Sequence, residues 1–193
     1  MSDMAIHQTG ETRTNQKKHA PKQHAPKQQD GSVLKDILFL LLKIAGILLA
    51  FALIFTFIFG IFRYQEPGMA PALKDGDLVI YYRLDKQYLL QDTVVLEFEG
   101  EKQVRRVIAT AGDTVDITED GLLVNGALQQ EPDIYFPTNA YEEGVRFPIT
   151  LSEGQIFVLG DSREHATDSR IYGAVEVKDT LGKVMTLLRR RNI

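Results

Sequence analysis

The sequence predicts a mostly β domain, a small antiparallel folded sheet or open barrel, preceded by one transmembrane helix. Three observations predict it. An apolar run of membrane-spanning length lies in the first third of the chain. The apolar pattern after it has period two rather than 3.6. Asp-Gly and Asn-Gly turns then punctuate that pattern at short intervals.

Residues 1–35 are polar and contain a tandem pentapeptide, His19-Ala20-Pro21-Lys22-Gln23 followed by His24-Ala25-Pro26-Lys27-Gln28. Such a segment buries too little apolar surface to offset the entropy of ordering, so a disordered tail is expected. His7, His19 and His24 are read as part of that tail and not as metal ligands. Residues 36–63 form the anchor. Ile37 to Phe62 is broken only by Lys43, and Ile44 to Phe62 is free of charge. As a helix that stretch spans about 28 Å, with Lys43 snorkelling to the interface. Arg63-Tyr64-Gln65-Glu66 follows directly, with no small-residue cleavage site, so the anchor is read as uncleaved.

Charge sets the expected orientation. Six Lys/Arg face four acids up to Asp36, whereas 15 face 22 beyond the anchor. Basic flanks stay in the cytoplasm, which puts the N-terminus inside and residues 64–193 outside a cell membrane crossed once. The acidic outer part has no basic stripe, which excludes nucleic acid as a partner. The absence of cysteine excludes disulfides, thiolate metal sites and cysteine nucleophiles, and no metal or cofactor is expected.

In the outer part, strands are expected at Leu78–Tyr82, Thr93–Phe98, Gln103–Ala109, Thr114–Thr118 and Leu122–Val124. Asn125-Gly126 is the strongest short hairpin signal. Later strands are Gln155–Leu159, Gly173–Val177 and Lys183–Leu188. Glu131 to Thr150 carries three prolines and several aromatics without periodicity, and reads as a surface loop.

Three segments carry the functional signal. They are Gly68-Met69-Ala70-Pro71-Ala72-Leu73, Val104-Arg105-Arg106-Val107-Ile108, and Gly160-Asp161-Ser162-Arg163-Glu164-His165-Ala166-Thr167-Asp168-Ser169-Arg170. In order and spacing they resemble the nucleophile, general-base and Gly-Asp-Asn-Arg motifs of type I signal peptidases, from residue 64 to about 185. The resemblance implies a mostly β fold. It also places Gly68 where the family has its serine nucleophile, Arg105 where it has its lysine base, and Ala166 where a serine orients that lysine.

A serine–lysine peptidase needs a hydroxyl and an amine that burial can render neutral. Glycine offers no side-chain atom, and arginine keeps its proton. No catalytic residue is therefore assigned; Gly68, Arg105 and Ala166 are degenerate positions. Met69, Pro71, Arg106, Asp161, Arg163, Asp168 and Arg170 persist as scaffold and groove residues. Asp168 and Arg170 are read as an internal ion pair rather than an acid and a base. Glu66 is placed near Arg105, offsetting its charge. A displaced nucleophile is the competing reading, with Ser162, Ser169, Thr110 or Thr167 served by His165.

Signal peptidases take an extended peptide by strand addition, which needs no nucleophile. Gly68 is expected to leave that groove open and Arg105 to put a positive charge in it. Members lacking the dyad accompany sortase-driven pilus assembly in Gram-positive bacteria. The resemblance thus implies exported precursors as partners, namely pilin subunits and the sortase, with membrane lipid held by residues 37–62. Arg189-Arg190-Arg191 is read as a solvated tail rather than a lipid contact.

Overall fold

The computed structural model describes residues 30–189, with side chains from residue 33 onward. The tail repeat, the three tail histidines and Arg190-Arg191 lie outside the described residues.

Helix α1 (Asp30–Ile58) is long and apolar enough to cross a membrane, and no part of its most apolar stretch is buried. The apolar run outlasts it. Phe59 to Phe62, expected as helix, belongs instead to strand β1 (Phe59–Arg63), paired antiparallel with β2 (Leu78–Tyr82). An apolar run alone does not separate helix from strand. Here Gly60 decides, because it lies so close against the Tyr81 ring that a Cβ would not fit.

The remaining strands are β3 (Thr93–Phe98), β4 (Glu101–Thr110), β5 (Thr114–Thr118), β6 (Gly121–Val124), β7 (Ala127–Leu128), β8 (Ile149–Thr150), β9 (Gln155–Leu159), β10 (Val175–Glu176) and β11 (Gly182–Leu188). They form two antiparallel sheets, one ordered β1-β2-β11-β3-β4-β9-β10, the other β7-β6-β5-β8. The mostly β, folded-sheet class expected from the sequence is the one observed. Asn125 and Gly126 both take positive φ, 54° and 78°, as a primed hairpin turn requires.

Two segments differ from expectation. Ser169–Tyr172 is a one-turn helix, α2, capped by the Asp168 carboxylate on the Arg170 N–H. The strand expected at Gly173–Val177 shrinks to Val175–Glu176, because Gly173 has φ 82° and Val177–Asp179 turns into a 3-10 helix.

Alternation along the strands sorts side chains into three apolar clusters. One joins the two sheets through Ile108, Val115, Ile117, Leu122, Phe157 and Leu159. Another holds Tyr64, Met69, Leu73, Val79, Tyr81, Val95 and Val104 beneath the first motif. The last gathers Tyr88, Val94, Leu96, Val107, Ile156 and Val158.

Candidate functional site

The three motifs meet at one place. Gly68 lies in the loop after β1, Arg105 in the middle of β4, and Ala166 in the loop after β9. The Ser162 N–H donates to the Gly68 carbonyl at 3.0 Å. Gly160 lies so close to that carbonyl and to the Ala166 Cβ that no side chain fits there. A Cβ on Gly68 would sit 3.0 Å from Arg105 Nη1.

Arg105 is fully buried, and each of its three guanidinium nitrogens has a hydrogen-bond partner. Its Nη1 and Nη2 donate to the two Glu66 oxygens at 2.6 and 2.9 Å, Nε to the Thr167 carbonyl at 2.9 Å, and Nη1 also to the Val104 carbonyl at 2.5 Å. Burial alone would lower its pKa, but the bonded Glu66 carboxylate more than offsets that, and the net shift is upward. The guanidinium is thus no proton acceptor at any pH the fold survives. The expected proximity of Glu66 is observed. Glu66 also offsets the Arg105 charge as expected, so the cation is not left free in the groove, and the expected opening at Gly68 is filled by the guanidinium. Bulk at Gly68 would therefore strike a buried cation and not empty groove.

A groove exists beside this plug. β1 is an edge strand, and β4 pairs with β9 only from Arg106 onward, so Glu101–Arg105 has an unpaired edge opposite β3. A cleft of about 460 Å³ lies there, lined by Phe62, Arg63, Glu66, Glu101, Lys102 and Gln103 among others. Gln103 Oε1 is buried with no hydrogen-bond partner. At the inner end, Glu66 accepts the Val104 N–H at 3.4 Å while Arg105 donates to its carbonyl. The pair occupies the backbone groups that an added strand would use at Val104.

A second, apolar recess of about 390 Å³ is lined by Pro67, Ala70, Pro71, Tyr135, Phe136, Asp161, Ser162 and His165. It joins the first motif, the last motif and the aromatics of the 131–150 loop, of which Tyr135 is 76% exposed. Of the four hydroxyls considered as displaced nucleophiles, Ser162 is the one that meets His165, with Oγ 3.1 Å from Nδ1. Ser169 Oγ accepts from the Val158 N–H, and Thr110 bonds Asp113.

The persisting residues hold the scaffold. Asp168 and Arg170 form a buried pair at 2.8 and 2.9 Å, and Asp168 also accepts the Gly160 N–H. Arg106 grips Asp161 through two bonds, which raises its pKa. Arg163 reaches Glu131 and Thr138 across the long loop. This anchoring was invisible to periodicity, since the partners lie 32 and 25 residues apart. Met69 is fully buried, its N–H bonded to the Tyr64 hydroxyl at 2.8 Å, and Pro71 lines the apolar recess. Arg189 Nη2 donates to the Ala72 carbonyl at 3.1 Å and is tied to the domain there. Among the described residues no cluster of three or more His, Asp or Glu suits a metal ion.

The Tyr172 hydroxyl is buried without a hydrogen-bond partner, and burial pushes its pKa above the ordinary 10.0. Above that pH the unfolded chain releases a proton that the folded chain keeps, so stability falls as pH rises. Tyr172→Phe is expected to lessen this decline without removing it, because burial raises the pKa of the Tyr64 and Tyr88 hydroxyls in the same direction. It is expected to cost little at neutral pH. Urea midpoints from about pH 8 to about pH 11 check it.

A family model described as signal peptidase, peptidase S26, matches residues 37–188. The chain belongs to that family. Signal peptidase IB of Staphylococcus aureus is 31% identical over 163 residues, 73% of this chain and 85% of the relative. Signal peptidase I of Bacillus licheniformis is 31% identical over 131 residues, 61% of this chain and 69% of the relative. A solved signal peptidase I from Enterococcus faecalis V583 is 27% identical, with a TM-score of 0.42, covering 52% of this chain and 97% of that one.

Proposed function

We propose that this chain is a membrane-anchored signal-peptidase-like protein that does not cleave at the family's site. It works instead as an assembly factor that captures exported precursors, pilin subunits in sortase-driven pilus assembly. The observation that carries the reading is the Arg105 guanidinium, buried beside Gly68 and locked by Glu66. The position that needs a neutral amine holds a permanent cation, and the position that needs a hydroxyl holds none. The charge asymmetry across the helix supports an N-terminus inside and the β domain outside. The open edges of β1 and β4 support capture of an extended segment. Pilus polymer formation in cells carrying Lys102→Pro, at a residue whose N–H faces the open edge as that of Val104 does, tests capture. A proline removes the N–H that β4 would offer an added strand. Polymerisation lost at unchanged membrane levels of the protein supports the reading; normal polymerisation contradicts strand addition at β4.

Reinstating the nucleophile alone is not expected to restore cleavage. In Gly68→Ser the new side chain meets the protonated Arg105 and no base. Gly68→Ser with Arg105→Lys and Ala166→Ser is expected to give partial activity at most, because Glu66 would pair with the new lysine and hold it charged. Cleavage of a signal-peptide-bearing precursor is the readout, and robust activity from the single change contradicts the assignment of the base.

A second reading, an active signal peptidase with atypical residues, is favoured by the Ser162–His165 pair beside the apolar recess. It predicts cleavage by the natural sequence that both Ser162→Ala and His165→Ala abolish.

A further inference from the structure

One buried polar group beside the groove has nothing to bond. Gln103 is 7% exposed, and its Oε1 is buried without a hydrogen-bond partner. Such groups are rare in a native fold and each asks for a reason. Gln103 lines the cleft of about 460 Å³, together with Phe62, Gln65, Glu66 and Lys102 among others. The orphan amide thus belongs to the wall of a cavity and not to a closed core.

The unpaired edge of β4 is open at Lys102, whose N–H faces away from β3 as that of Val104 does. Val104 is taken by Glu66 and Arg105, so a captured strand finds its free backbone groups at Lys102. In an added strand, the residue opposite Gln103 puts its side chain on the same face, about 5 Å away. That side chain therefore lies beside the orphan amide. The charges lining the cleft already balance, Arg63 and Lys102 against Glu66 and Glu101. An ammonium would only donate and a carboxylate only accept, and either would bring a charge with no counter-charge left to take it. A hydroxyl both donates and accepts, so it meets either end of the amide, whose terminal torsion is broad. A carboxamide would bring a second polar end that needs a partner of its own.

We propose that Gln103 is the specificity residue of this groove: it selects precursor segments that place serine or threonine opposite it, through a hydrogen bond between its amide and the hydroxyl. The inference rests on capture by strand addition at β4, proposed above, and adds the side chain that capture reads. An apolar residue of the same shape is rejected, because it leaves the amide unpaired and shut off from water.

The chain contains no tryptophan, so Gln65→Trp at the cleft gives a single fluorescent reporter. The full chain with that reporter, in detergent, is titrated with acetyl-Ala-Ala-Thr-Ala-Ala-amide and with the same peptide carrying valine in place of threonine. Valine keeps the shape and removes the hydroxyl. The threonine peptide is expected to bind about tenfold more tightly. Gln103→Leu is expected to remove that preference without lowering the urea midpoint, since the Oε1 it deletes makes no bond within the fold. Lys102→Pro is expected to abolish binding of both peptides. Equal affinity for the two peptides overturns selection by Gln103 and leaves strand capture standing. No binding of either peptide overturns capture at β4 and this inference with it. A preference that survives Gln103→Leu overturns the assignment to this residue, and binding that survives Lys102→Pro overturns the placement of the captured residue opposite it. A urea midpoint lowered by Gln103→Leu reveals a partner within the fold and overturns the orphan amide.

Discussion

Asp168→Ala is expected to lower stability by about 4 kcal/mol, the loss that follows when one partner of a buried ion pair is removed. Asp168 is fully buried and Arg170 is 2% exposed. The carboxylate accepts the Gly160 N–H, the Arg170 N–H and two guanidinium bonds, and it caps α2. Its removal strands a buried cation and two backbone donors together. For a domain of this size the melting temperature should fall by about 15 °C, read by thermal unfolding in detergent. Asp168→Ala combined with Arg170→Met should lose less than Asp168→Ala alone, because the second change removes the stranded charge. A melting temperature unchanged in the single variant contradicts the scaffold role given to this pair.

Glu66→Ala carries the second large effect. Arg105 would then keep only the carbonyls of Thr167 and Val104 for a wholly buried guanidinium. The expected loss is about 3 kcal/mol, near the low end for a broken buried pair because Glu66 itself is 23% exposed. Glu66→Ala with Arg105→Met should recover most of it, since the methionine brings no charge to strand. The double variant also frees both backbone groups of Val104 for an added strand. Urea midpoints of the parent, the two single variants and the double variant give the coupling directly. Additive losses contradict the plug.

Much of the fold was legible because β-branched and aromatic runs bounded by turn residues mark the strands, Leu78–Tyr82 and Thr114–Thr118 alternating, Thr93–Phe98 and Gln155–Leu159 as continuous buried runs. The register of the hairpin at Asn125-Gly126 follows from its turn chemistry. What escaped was decided by contacts distant in sequence. Phe59 to Phe62 reads as apolar in either helix or strand, and its pairing with Val79–Tyr82 settles the matter. α2 is one turn long and owes its existence to Asp168, not to helix periodicity. In the site, residue identities disclosed what was changed, and Glu66 was placed correctly beside Arg105. They did not disclose that the guanidinium fills the space at Gly68, since that follows from the depth at which β4 lies under the loop. Nor did they show that Tyr135 and Phe136 come to Pro71 and His165 to form the apolar recess.

The most direct test of the account is cleavage itself. The full chain in detergent is incubated with a signal-peptide-bearing precursor, beside an active signal peptidase as control, and the precursor is followed by mass at the expected cleavage site. The account predicts intact precursor at every time and pH, since Gly68 provides no nucleophile and the buried Arg105–Glu66 pair no base. Specific cleavage that persists after host peptidase is removed, and that Ser162→Ala abolishes, would contradict it.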